Sequence, residues 1–283
     1  MSIDRSSASA RWHRLVTDRL EEMERLSPGL GSLDCEFWDR RADRYAANMP
    51  PADADGDPFL RPLRRFTSPS STAIDVGAGT GRFTLPLAAG VRHVTAVDPS
   101  AAMRAILRRE ARRRGVTNLT LVPGTWEEAD TAVADVAFSS FVLPLVADAR
   151  AFLTKLDAAA RRHAFLYLGA FSGDAVLDPL WRHFHGTPRV PGPSYIDAIA
   201  VLRECGVEPE VQVVEIANRK RFPTIGEAVE YYRDGLLLDD SPEVKDELEG
   251  LLASWLMGRK GALRSPMRTM PAAILHWMPR PHS

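Results

Sequence analysis

The sequence predicts a doubly wound α/β fold, on three observations. From about residue 72, short apolar segments alternate with amphipathic helical stretches, the pattern of βαβ units around a parallel sheet. The first apolar segment runs into a glycine-rich turn, Asp75-Val76-Gly77-Ala78-Gly79-Thr80-Gly81, ahead of a helix. The 283 residues are 45% hydrophobic and 26% charged, enough apolar material to build a core and too much for a mostly disordered chain.

The elements follow in order. Residues 11–26 place Trp12, Leu15, Val16, Leu20, Met23 and Leu26 at helical spacing, stopped by Ser27-Pro28-Gly29. A second helix over 36–48 offers Phe37, Trp38, Ala42, Tyr45 and Ala46 for one face, and residues 49–58, rich in Pro and Asp, read as a loop. Strands are expected within 72–79, where the strand runs into the glycine-rich turn, and at 93–98, 118–124, 135–143 and 163–171. Between them lie a helix over 82–90, a helix from the Ser100 cap to Arg114 stopped by Gly115, a helix or loop over 126–134, and a helix over 149–162. Pro86 is tolerated in the first of these only within its opening turns. Beyond Phe171 the spacing loosens, with a helix over 193–207, a strand over 210–216, helical sequence over 224–262 and a last strand at 271–279.

The chemistry concentrates in the turn. Glycines between a strand and a helix let the backbone approach a ligand closely, because no Cβ intervenes. The spacing is GxGxG, with Arg82 where the dinucleotide pattern GxGxxG wants its last Gly, and no GxxxxGK[ST] occurs. Asp75 at the strand end suits a ligand carrying an ammonium group rather than a pyrophosphate.

On these residues the sequence resembles the class I S-adenosylmethionine-dependent methyltransferases. Asp75, Gly77, Ala78, Gly79 and Gly81 match the family's first motif, which wraps the amino-acid and ribose parts of the cofactor S-adenosylmethionine. Asp98, followed by Pro99 and 17 residues after Gly81, matches the acidic residue that bonds both ribose hydroxyls. Met103 matches a position on the adenine face, and Thr125, Trp126 and Glu127 match the adenine cradle, although many members have Asp where Thr125 stands. Ser139, Ser140 and Phe141 match the strand that borders the methyl-transfer centre. Tyr45 in WDRRADRYA matches a residue of the N-terminal helix that reaches the cofactor's amino-acid end. The texture is nearest to the ubiquinone/menaquinone methyltransferase-like group. The resemblance implies a Rossmann-like, mostly parallel sheet of seven strands with helical lid insertions, the last two strands forming an antiparallel edge. It divides the chain into an N-terminal helical lid (1–66), a cofactor-binding core (67–171), and substrate-pocket insertions with the last two strands (172–283).

The expected activity is methyl transfer to a small molecule, with no metal. Pro144 and Leu145 stand where many small-molecule members carry His-His, so no catalytic base is assigned. That difference is the support for an alternative, a cofactor-binding sensor or partner subunit without activity. A net charge of −1 argues against a nucleic-acid partner. The arginines at 104, 108, 109, 112, 113 and 114 read as the solvated face of a helix whose other face carries Met103, Ile106, Leu107 and Ala111. His183 and His185 have no Cys or carboxylate at ligand spacing, and Tyr231 and Tyr232 read as core. Two cysteines make no disulfide framework, and the absence of a signal-like or bilayer-length apolar run gives the expectation of a cytoplasmic protein with no membrane partner.

Overall fold

A computed structural model of the chain describes residues 7–28, 35–49, 52, 56–170, 177–218, 220–259 and 261–280. Gly29, Phe171 and positions 50, 51 and 53–55 of the Pro-rich loop lie outside these residues.

Seven strands form one sheet in the order β3-β2-β1-β4-β5-β7-β6. β1 (Thr72–Val76), β2 (His93–Asp98), β3 (Leu119–Pro123), β4 (Ala134–Ser140) and β5 (Ala160–Gly169) are parallel. β7 (Thr269–Trp277) runs antiparallel to both β5 and β6 (Glu210–Ala217). The expected antiparallel pair therefore forms, but the last strand lies inside the sheet and β6 takes the edge. Crossing from β1 to β4 reverses the direction of winding, so the ends of β1, β2 and β4 bound the crevice where such sheets take ligands.

Alternation along each strand sends side chains to two layers. On one face Phe165 and Tyr167 join Phe138 under α3 (Leu60–Arg65) and α4 (Thr84–Ala88). Phe59, just before α3, stacks on Tyr167 at 4.6 Å and meets Phe83 edge-on at 5.1 Å. α5 (Ala101–Arg113) packs beside them through Leu107 and Ala111. On the other face Leu166 and Leu168 meet α1 (Ala8–Leu26), α6 (Ala149–Ala158) and α8 (Tyr195–Glu204). Full burial of each such side chain is worth about 1.5–3 kcal/mol, so both layers hold the sheet. A third cluster joins α7 (Asp178–His185), α9 (Ile225–Leu236) and α10 (Pro242–Trp255) around Trp181, Tyr232, Leu248 and Leu252.

The helix over 36–48 appears as α2 (Cys35–Asn48). Among the described residues of the N-terminal segment, α2 docks on α5 beside the strand ends. α1 is part of the core: Trp12 is fully buried, and its indole N–H donates to the Val146 carbonyl at 2.8 Å.

Several boundaries differ from the sequence reading, each for a physical reason. The helix expected to run to Arg162 stops at Ala158, because Ala160 pairs with Ala134 and draws the alanines into β5. β4 ends at Ser140 rather than 143, because Phe141 takes a left-handed backbone (φ 59°) and a 3-10 turn follows at Leu143–Leu145. The helical stretch 224–262 is two helices, parted by left-handed Leu237 (φ 56°) and restarted by Pro242 in its first turn. Residues 126–128 form a turn, and α3 and α7 have no counterpart in the sequence reading. Pro86 sits in the first turn of α4, where its missing N–H costs nothing.

Candidate functional site

β1, β2 and β4 end side by side, and the glycine turn follows β1. Gly77, Gly79 and Gly81 all have positive φ (72°, 54° and 88°), a conformation that disfavours side chains. Their surroundings differ. A Cβ at Gly77 would stand 2.2 Å from Val142 and one at Gly81 would stand 2.3 Å from Leu107, so these two glycines serve packing. A Cβ at Gly79 would meet only the Tyr45 ring, at 3.9 Å. Gly79 thus lines an open cradle roofed by Tyr45.

Asp98 closes one side of this cradle. Its Oδ2 accepts from the Gly79 N–H at 2.7 Å and its Oδ1 from the Ser100 N–H at 2.9 Å. The carboxylate is largely buried, and that burial pushes its pKa up, opposed by the two N–H donors and by Arg104. Below the turn, Asp75 is 1% exposed. Its Oδ2 accepts from the Thr84 hydroxyl at 2.5 Å, while its Oδ1 is buried without a hydrogen-bond partner. Burial pushes this carboxyl up to about 7, with Asp98 adding to the rise and Thr84 opposing it. Burial also raises the Tyr45 phenol, with Arg82 opposing and the Asp98 and Asp75 carboxylates adding. Tyr45, Asp75 and Asp98 therefore lie close enough to feel one another's charge although they come from three elements.

The Ser100 that caps α5 also ties down the roof. Its hydroxyl donates to Asp39 Oδ1 of α2, and that oxygen accepts the Ala102 N–H at 3.0 Å. Hydrogen bonding to Ser100 and then to Ala102 holds the Asp39 carboxyl below its usual range. Met103 is buried between Ala42 and Ile106, with Trp38 and Tyr45 packed against the same cluster. Asp39 carried no signal in the sequence, because only the docking of α2 on α5 gives it a role.

The other sequence candidates divide. Ala78 is buried, and its N–H and that of Gly77 both donate to the Val97 carbonyl, at 3.0 and 2.8 Å, so they fix the turn to β2. Pro99 is half-buried beside Asp98. Thr125 and Glu127 are exposed, with the Thr125 hydroxyl 3.2 Å from Glu128. The Trp126 ring points the other way, into the core against Phe152, with its N–H donating to the Phe152 carbonyl at 3.3 Å. Only its backbone is left to face a ligand. Ser139 is fully buried and its hydroxyl donates to the Val76 carbonyl at 3.0 Å, pinning β4 to β1. Ser140 is half-buried at the strand end, and Phe141 follows with its N–H donating to the Tyr167 carbonyl at 2.7 Å. A left-handed Phe is costly, and such strain gathers at functional sites.

The arginines at 108, 109, 112 and 113 on α5 and Arg114 at its C-cap are exposed, as expected of a solvated face, but Arg104 is half-buried and its Nη1 donates to the Asp98 carbonyl at 2.5 Å. His183 pairs with Glu247 at 2.8 Å, a partner from α10 that sequence spacing did not reveal, and His185 bonds the Leu236 carbonyl at 2.8 Å. Tyr232 is core, whereas Tyr231 is exposed. No group of side chains suited to a metal ion occurs among the described residues. Nor is any described helix long and apolar enough to cross a membrane. Cys35 and Cys205 are both free thiols.

Comparison with known proteins fits this geometry. The family model described as a methyltransferase domain matches residues 73–162. This segment is similar to methyltransferase domains. The match spans the strands and turns that build the site, from β1 into β5. An uncharacterized protein of Haemophilus influenzae is 27% identical over 184 residues, which cover 63% of this chain and 66% of that one. Among solved structures, a protein of Bacillus halodurans C-125 assigned as a methyltransferase superposes with a TM-score of 0.56 at 15% identity, over 80% of this chain and all (100%) of that one. The YcgJ protein of Bacillus subtilis gives 0.53 at 14% identity, over 79% of this chain and 98% of that one. At these identities the superpositions establish a shared fold.

The domain's roof is expected to respond to ligand in one helix only. Adding S-adenosylhomocysteine should slow hydrogen exchange across 35–48, because Tyr45 gains a partner below it. Residues 8–26 should not change, since α1 is already in the core. Equal slowing in both helices would remove the distinction between them.

Proposed function

We propose that the protein transfers a methyl group from S-adenosylmethionine to a small molecule bound over the ends of β4 and β5. The observation that carries this reading is the open cradle at Gly79, walled by the Asp98 carboxylate and roofed by Tyr45. The residues suit that cofactor. Asp98 would accept from the two ribose hydroxyls. Asp75 Oδ1, buried and without a partner, is a seat for a positive ammonium group. Met103 and the 124–127 turn would border the adenine. The cofactor supplies an activated methyl on a sulfonium, so the chain's own task is alignment and the exclusion of water. Ser140 and Phe141 would border the acceptor, and α2 would shield it.

Within the class, the sequence texture favours the ubiquinone/menaquinone methyltransferase-like group. We further read the protein as cytoplasmic, in keeping with its free thiols, and as acting on neither nucleic acid nor membranes, in keeping with its net charge of −1.

Gly79→Val tests the reading. The left-handed φ of 54° strains any side chain, a cost of roughly 1–2 kcal/mol. Yet no protein atom blocks the Cβ, so the fold should survive with a small loss of thermal stability. S-adenosylhomocysteine binding, measured by calorimetry, should vanish, and so should its release from S-adenosylmethionine in a fractionated metabolite extract. Unchanged affinity in the variant would place the cofactor elsewhere. Wild-type binding with no release in any fraction would favour a sensor without activity, as the Pro144-Leu145 turn in place of His-His would suit.

A further inference from the structure

α2 presents four directions, and contacts identify three of them. Asp39 and Ala42 face α5, through Ser100, Ala102 and Met103. Tyr45 faces Gly79. Arg44 faces α9, where its Nη2 meets Asp234 Oδ2 at 2.8 Å. At 3.6 residues per turn, Arg41 points between Tyr45 and Arg44. It therefore lies on the side of α2 between the Gly79 turn and α9.

Arg41 is part-buried, with its guanidinium 3.9 Å from the Phe37 ring, and it makes no hydrogen bond or ion pair among the described residues. Lys220 precedes α9, the helix on which Arg44 docks, and both Arg41 and Lys220 lie close enough to Arg44 to feel its charge. The Lys220 ammonium lies 4.2 Å from the Tyr231 ring and 5.3 Å from the Phe222 ring, and it too has no ion pair among the described residues. Burial pulls the pKa of both groups down; Asp234 and Glu227, respectively, restore part of it, and Arg44 lowers both further. Asp234 is already shared between Arg44 and Arg233. Two half-buried cations without an anion are costly to keep, unless an anion arrives with a ligand.

Resting on the methyltransferase reading above, we propose that the methyl acceptor carries an anionic oxygen group, a carboxylate or a phosphate, and that Arg41 and Lys220 bind it between α2 and α9. The pair would then set which acceptors enter, with the acceptor's nucleophile held towards Ser140 and Phe141.

The test uses the full chain saturated with S-adenosylhomocysteine, and inorganic phosphate and acetate as probes. Thermal stability is followed against added phosphate or acetate, with chloride at equal ionic strength as reference. A saturable rise with either probe is expected in the wild type, and the better probe indicates which oxygen group the acceptor carries. Arg41→Gln and Lys220→Gln should each weaken that effect by about 10-fold or more, as for a lost charge-assisted bond. Arg41→Lys, which keeps the charge, should retain most of it. Neither Gln variant should be less stable than wild type without the probe, because each removes an uncompensated charge. No saturable rise in the wild type, or an undiminished rise in both variants, overturns the proposal. A loss of stability in the probe-free variants also overturns it, by making the cations structural. S-adenosylhomocysteine is titrated in parallel. If Arg41→Gln loses its affinity, Arg41 serves the cofactor's own carboxylate and the acceptor assignment fails. If the wild type does not bind S-adenosylhomocysteine at all, the underlying methyltransferase reading fails instead.

Discussion

Replacing Asp98 by Ala is expected to weaken S-adenosylhomocysteine binding by about 100-fold or more, since two charge-assisted hydrogen bonds at roughly 1.5–3 kcal/mol each would be lost. The wild type should also prefer S-adenosylhomocysteine over its 2′-deoxy analogue, and the variant should lose that preference because the group reading the hydroxyl is gone. Stability without ligand is subtler than a ligand-facing residue alone would suggest. Asp98 already accepts the Gly79 and Ser100 N–H groups, so its removal leaves two donors to water. Relief of carboxylate burial works in the opposite direction, because folding raises the pKa of this group. The net fall in thermal stability should be modest. Asp98→Asn keeps one acceptor but turns its amide towards a donor, so its affinity should lie between those of wild type and Ala. Calorimetry on the three proteins decides it. A preserved preference for the ribose 2′-hydroxyl in Asp98→Ala would assign that contact to another residue.

Asp75→Asn should move stability and affinity in opposite directions. The folded carboxyl titrates at about 7 against an ordinary 3.8. Folding therefore favours the protonated form, and the stability this group confers is present below about pH 4 and is lost as pH rises through 7. At roughly 1.4 kcal/mol per pH unit, the loss above neutrality is about 4 kcal/mol. Asparagine cannot ionise, yet its oxygen can still accept from the Thr84 hydroxyl. Denaturant unfolding of the ligand-free variant should thus show greater stability than wild type at pH 8 and little difference near pH 4. Its affinity for S-adenosylhomocysteine should fall, because the ammonium loses its counter-charge. In the wild type, cofactor binding below pH 7 should release a proton, measurable as a dependence of binding heat on buffer. A variant less stable at pH 8 would mean that the carboxylate is satisfied within the fold.

The parts of this molecule that were legible in the sequence are those where local chemistry and tertiary structure agree. The Asp75–Gly81 turn, Asp98 at its strand end and the Ser100 cap each act within a few residues of chain, and spacing alone placed them. Trp126 illustrates the opposite case. Its neighbours form a turn beside the crevice, but which way the indole points is decided by Phe152, which is distant in sequence. Ser139 is similar: strand alternation turns it towards Val76 and leaves Ser140 nearer the opening. The alanines after α6 have high helix propensity, and pairing with β4 overrode it. Asp39, Arg41 and Lys220 were invisible because their roles arise only when α2 lies against α5 and faces α9. Sequence patterns locate the glycine turn and the strand ends, and long-range docking decides which side chains lie over them.

The interior position of β7 also bears on how the chain is made. Among the described strands β6 touches the sheet through β7 alone, and β7 follows it in the chain. During translation β5 keeps an unpaired edge, and β6 has no neighbour in the sheet, until β7 leaves the ribosome. The parallel strands β1 to β4 have all their sheet partners by then, so the nascent chain carries a parallel core with β5 as its open flank. Loss of the final strand, by a premature stop or proteolysis, would release two strands rather than one and unmoor the α9–α10 insertion strung between them. Non-local pairing of this kind is slow to form and exposed to aggregation. The anchoring of the α9–α10 insertion to the sheet therefore waits on the pairing of β7.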